Sequence, residues 1–130
     1  MCENSTAQGI PAARDAGEYE LIERPRGKNS EADFCITLSE DCMRPYIEPG
    51  QTVYVQASVP LEEFDAGIFY LNGRIFCRQW CEDCMGTLHL LAADPSRADA
   101  NISVPAKDRG KCLCLGRVML EGHLPRPAYY

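Results

Sequence analysis

Apolar residues in this chain come in short runs rich in β-branched and aromatic side chains, broken by turn residues about every eight to twelve positions. That spacing predicts strands over 34–38, 52–56, 67–71, 74–80, 87–92 and 112–120. Asn72-Gly73 lies between Ile68-Phe69-Tyr70-Leu71 and Ile75-Phe76-Cys77, and a type I′ turn needs the positive φ that Asn and Gly tolerate, so a hairpin is expected there. Pro49-Gly50 suits the centre of a type II turn, and Cys84-Met85-Gly86 can fold 74–80 back onto 87–92, giving a meander. No stretch sustains a 3.6-residue apolar period and no internal repeat is visible, so helix is scarce and the predicted class is mainly β. The mixed Ala, Gly, Asn, Ser and charged residues of 1–32 read as a flexible arm, 33–122 as the folded domain, and 123–130, with Pro125-Arg126-Pro127, as an extended C-terminal tail.

Length and composition narrow the function. At 130 residues the chain can bury one core but not two. The net charge of −6 opposes a phosphate backbone, so direct nucleic-acid binding by this segment is not expected. No apolar stretch is long enough to span a bilayer, and the first fifteen residues lack a signal-peptide pattern, which makes the expected location cytoplasmic. In that compartment the eight cysteines (Cys2, Cys35, Cys42, Cys77, Cys81, Cys84, Cys112, Cys114) are expected as reduced thiols.

The most informative segment runs Leu38-Ser39-Glu40-Asp41-Cys42-Met43-Arg44-Pro45-Tyr46-Ile47-Glu48-Pro49-Gly50-Gln51-Thr52-Val53. It resembles the nucleophile segment of the LexA-like family of Ser-Lys autopeptidases, which includes LexA, the lambda repressor and UmuD, and whose pattern is roughly Gly-Asp-Ser-Met-x-Pro followed by a Gly-Asp turn and a strand. The family serine falls on Cys42, its Met on Met43, its Pro on Pro45 and its turn on Gly50-Gln51, while Glu40 replaces the glycine. The family's lysine hairpin, roughly Asn-Gly-Glu-x-x-x-Lys-Arg-Leu, is matched by Asn72-Gly73-Arg74-Ile75-Phe76-Cys77-Arg78-Gln79-Trp80, which puts Arg78 at the lysine position. Leu90-Leu91-Ala92-Ala93-Asp94-Pro95 and Leu115-Gly116-Arg117-Val118 resemble two further elements in the right order. The resemblance implies a LexA-like, signal-peptidase-like β-meander or partly open barrel.

It also implies a cleft in which Cys42 and Arg78 occupy the dyad positions, Met43 and Pro45 line the substrate path, and Ala16-Gly17 in the arm takes the place of the scissile bond. The family chemistry uses a neutral lysine to take the serine proton, and arginine, with a pKa above about 12, cannot do so. A dyad of this kind is expected to be inactive. The alternative is an active cysteine autoprotease or thiol sensor, because a nearby guanidinium favours the Cys42 thiolate.

Other constellations compete. Cys81-x-x-Cys84 with Cys112-x-Cys114 could supply four thiolates to zinc, but the second pair has the spacing of two same-face strand residues. A redox pair at Cys81 and Cys84 would want a helix N-terminus that the pattern does not show. His89 and His123 read as structural or solvated, and Tyr70, Phe76 and Trp80 as packing residues. No cofactor is therefore expected, with zinc the alternative.

By resemblance the chain is the dimerising, regulatory C-terminal domain of a prophage-type or stress-response transcriptional repressor, reaching DNA only through a missing or fused helix-turn-helix domain. A stand-alone protein similar to UmuD and a zinc-stabilised protein-binding module are the alternatives. No membrane contact is expected, and a homodimer is expected through an exposed sheet edge or the C-terminal strand, with Leu113, Leu115 and Val118 as apolar surface.

Overall fold

The computed structural model describes residues 19–23, 31–57 and 59–130, the first of these segments as backbone only. Among them eight strands form one antiparallel sheet: β1 (Tyr19–Glu23), β2 (Phe34–Leu38), β3 (Gln51–Gln56), β4 (Ala66–Leu71), β5 (Arg74–Glu82), β6 (Leu88–Leu91), β7 (Ile102–Val104) and β8 (Leu113–Val118). Their spatial order is β1-β2-β3-β8-β4-β5-β6-β7. Two short 3₁₀ helices, Pro95–Ala100 and Ala106–Lys111, flank β7. The class is mainly β, as the alternation of short apolar runs predicts.

The β4–β5 hairpin forms where the turn chemistry requires it. Asn72 and Gly73 have φ of 54° and 82°, and Leu71 pairs with Arg74 across the turn. Strand alternation sends the two faces of this hairpin into two cores. Ile68 and Cys77, opposite one another, join Phe34, Ile36, Val53, Val55 and Val118 on one face. Phe69 and Phe76, the next pair, join Leu88, Leu90 and Val104 on the other.

The sheet departs from a simple meander. β8 inserts between β3 and β4, so the C-terminal strand is interior and not an edge. Val118 is buried, Leu115 packs against the core, and of the three expected dimer residues only Leu113 is exposed. The edges are β1 and β7, neither of which the apolar pattern predicts. β1 falls inside the expected arm and pairs with β2, whereas Ala16 and Gly17 lie outside the described residues. The 123–130 tail folds back onto the sheet: Leu124 enters the first core, Pro127 is buried, and the buried Gln79 amide donates to Phe64 O (3.0 Å) and Pro125 O (2.9 Å).

β8 can take its interior place only because Gly116 has no side chain. Leu115 bulges between Gly116, which faces Ile68, and Cys114, which faces Phe69. A Cβ at Gly116 would lie 2.6 Å from Val55 Cγ1 and 2.7 Å from Gln56 O. Gly116→Ala is accordingly expected to destabilise the domain by about 1–3 kcal/mol, the usual cost of overpacking. Urea unfolding checks this, and an unchanged midpoint would mean that β3 and β8 are not packed this closely.

Candidate active site

Cys42 follows β2 at the start of a tight turn in which Tyr46 N and Ile47 N both donate to Met43 O. The turn is held from inside by Met43 and Ile47, which enter the first core. Met43 is therefore a packing residue and Pro45 is solvent-exposed, and neither lines the cleft, contrary to the resemblance. The burial of Met43 nonetheless fixes the turn that presents Cys42.

Arg78 comes from the middle of β5, two residues past Phe76 on the same face, and its guanidinium carbon sits 5.2 Å from the Phe76 ring centroid. Cys42 and Arg78 line one cleft of about 500 Å³, whose other walls include Ser39, Glu40, Arg74, Arg97, Asp99 and residues 100–102. The Arg78 side chain is only 3% exposed, so its charge must be met within the protein. Nη1 donates to Glu40 Oε1 at 2.5 Å and to Cys77 O at 2.8 Å, and Nε donates to Ala100 O at 3.2 Å. Glu40 Oε2 also accepts from Arg74 Nη2 at 3.4 Å. The residue that breaks the family's glycine position is thus the counter-ion of the residue that breaks its lysine position. Both departures are visible in the sequence but their link is not, because it is made across 38 residues of chain.

The opposite wall is the segment 92–101. Asp94 N donates to Cys42 O at 3.0 Å, while Asp94 Oδ1 accepts from Ser96 N and Ser96 Oγ and starts the 3₁₀ helix. Arg97 from that helix pairs with Asp41, next to Cys42. The Asp94-Pro95 match in the sequence marks this wall.

Burial is the main influence on the Cys42 thiol and pushes its pKa up to about 11. The Arg78 charge lowers it, and a hydrogen bond to Glu40 together with the carboxylate charge raises it again. The expectation that a guanidinium would favour the thiolate is thus outweighed by desolvation and by Glu40. Cys77, also buried, is pushed up to about 12 by burial.

The proposed zinc ligands do not assemble. Cys81 is buried in β5 with its thiol toward Glu63 and Tyr130, Cys84 is exposed beyond the end of β5, and Cys112 and Cys114 lie at and just inside the start of β8. Among the described residues the group of three or more close ligand atoms is Glu62, Asp65 and His123, and there Arg117 Nε already lies 3.6 Å from Asp65. His89 is structural in a way its sequence context does not show: Nε2 meets Asp83 Oδ2 at 2.8 Å and Nδ1 meets Ser103 Oγ at 3.2 Å, tying the β5–β6 turn to edge strand β7. The His89 hydrogen bond, with those from the Thr87 and Met85 N–H groups, holds the Asp83 carboxyl below its ordinary pKa.

The family model described as Peptidase S24-like matches residues 3–119. No curated protein matches the chain. No helix among the described residues is long and apolar enough to cross a membrane.

These contacts set the pH response of the thiol. Cys42 alkylation, followed by residue-resolved mass spectrometry, is expected to stay slow through pH 9 and to rise with a midpoint near 11. Glu40→Gln removes the carboxylate charge that raises the pKa while leaving an amide oxygen that can accept from the thiol, and it should bring the midpoint down, though not below the ordinary thiol value, because burial remains. A midpoint that does not move would show that Glu40 leaves the thiol unaffected.

Proposed function

The chain belongs to the Peptidase S24-like family of LexA and UmuD, and from that premise we propose that it is a catalytically silent member, the regulatory and dimerising domain of a cytoplasmic transcriptional repressor of prophage or stress-response type. DNA contact belongs to a helix-turn-helix domain outside these 130 residues, fused to them or supplied by another chain. The observation that carries the reading is the ion pair between Glu40 and the buried Arg78 beside a Cys42 thiol whose pKa is about 11.

Two requirements of acyl transfer at this site are unmet. A nucleophile needs a group that accepts its proton at working pH, and Arg78 is permanently charged. A leaving amine needs a proton donor, and the guanidinium cannot give one up. Losing general acid–base catalysis alone costs about 10²–10⁴-fold in rate. A Cys42 thiol with a pKa near 11 is almost wholly protonated at neutral pH, which also argues against a thiol-sensor role.

The same geometry suits a peptide-holding cleft. β1 begins at Tyr19, which pairs with Leu38 at the end of β2 that leads into Cys42. Assembly would use an edge strand, β1 or β7, whose outward N–H and C=O groups a second copy can pair.

Intact-mass measurement over days at pH 7 and pH 10 is expected to show the full chain with no loss of residues 1–16, and accumulation of that cleaved product would overturn the silent assignment. Glu40→Gly, Cys42→Ser and Arg78→Lys together should restore cleavage at alkaline pH. Cys42→Ser with Arg78→Lys alone should cleave at least about tenfold more slowly, because the retained Glu40 would keep the new amine protonated. Equal rates for the double and triple variants would remove Glu40 from the account. Sedimentation equilibrium at tens of micromolar should give a dimer, and a strict monomer would count against the repressor role.

A further inference from the structure

We propose that the C-terminal tail is a strap that governs access to the Cys42 cleft, with Tyr129 as its positioning residue. The Tyr129 hydroxyl donates to Ala92 O at 2.6 Å and lies 3.0 Å from Asn101 Oδ1. Asn101 Oδ1 also accepts from Ala92 N at 2.8 Å. Ala92 and Asn101 are the two ends of the segment that walls the cleft, and the three groups close its neck.

Everything that this segment contributes to the cleft lies between those ends. Asp94 N holds Cys42 O, Arg97 holds Asp41, and Ala100 O accepts from Arg78 Nε. The Arg97–Asp41 pair is more than a third exposed on both sides, and exposed pairs of this kind contribute little. The neck is therefore one of the restraints, with the Asp94–Cys42 and Arg78–Ala100 hydrogen bonds, on a wall that leaves Cys42 only 1% exposed.

Tyr129 reaches the neck because the tail is guided onto the sheet. Pro125 O accepts from the buried Gln79, Pro127 is buried, and the Tyr130 ring packs 6.2 Å from Phe64 and 5.9 Å from His89, centroid to centroid. Tyr129 and Tyr130 themselves stay 37% and 41% exposed, so the end of the strap can lift while Leu124 and Pro127 remain packed. Its regulatory meaning rests on reading the cleft as the working site, but the gating of Cys42 does not.

The test is the native-state rate of Cys42 modification by iodoacetamide in the full chain, resolved by residue, with the buried Cys35 and Cys77 as internal references. Tyr129→Phe keeps the ring and deletes the hydroxyl, and it should raise the Cys42 rate roughly five- to tenfold, the shift in an opening equilibrium expected from one lost hydrogen bond. Tyr130→Phe should leave that rate unchanged. An unchanged Cys42 rate in Tyr129→Phe overturns the proposal, as does an equal rise at Cys35, Cys42 and Cys77, or a rise in Tyr130→Phe matching that in Tyr129→Phe. Failure of the repressor reading would show instead as a monomer or as self-cleavage, neither of which enters this rate.

Discussion

A guanidinium with 3% of its side chain exposed is the constraint around which this site is arranged. Removing a charge from water costs several kcal/mol unless it is paired and hydrogen-bonded, so Arg78 commits its surroundings. Glu40 supplies the counter-charge, Cys77 and Ala100 supply carbonyls, and the Phe76 ring lies alongside. These partners come from three parts of the chain: the turn after β2, β5 itself and the 3₁₀ wall. Pairing Arg78 thus brings together the elements that bound the cleft.

The same commitment explains why the cleft keeps the shape of a peptidase site while losing the chemistry. A lysine at position 78 could give up its proton when desolvated, whereas arginine stays charged and needs a permanent anion. Glycine at position 40 could not provide one. Glu40 does, and in doing so it also accepts from the Cys42 thiol and helps hold it protonated. The two departures from the family pattern form one physical unit: glycine restored at 40 alone leaves the buried Arg78 charge without its counter-ion, and lysine restored at 78 alone leaves Glu40 to hold the new amine protonated.

Local chemistry was the legible part of the sequence. Asn72-Gly73 specifies its hairpin because few residue pairs tolerate two positive φ values, and strands β2 to β6 follow from apolar runs bounded by turn residues. What could not be read is nonlocal. The insertion of β8 between β3 and β4 depends on a backbone approach at Gly116, and a bare glycine in a strand does not say which strand it will meet. β7 is only three residues long and β1, Tyr-Glu-Leu-Ile-Glu, is short and lacks strict alternation, so neither makes a periodic signal. Met43 reads as a cleft residue from the motif but packs in the core, because the tight turn points it inward. The tail, with its prolines, reads as extended chain, and the buried Gln79 amide and the Ala92–Asn101 neck, among its docking contacts, are distant in sequence from it.

The coupling between Glu40 and Arg78 is the quantity on which this account depends, and a double-mutant cycle on unfolding free energy with Glu40→Gln, Arg78→Gln and the double variant measures it most directly. For a mostly buried, hydrogen-bonded pair the account predicts a coupling of roughly 2 kcal/mol or more, with each single variant losing more stability than the double variant implies. Additivity within about 0.5 kcal/mol would contradict it, because two independent side chains could not be the lock that holds the site silent.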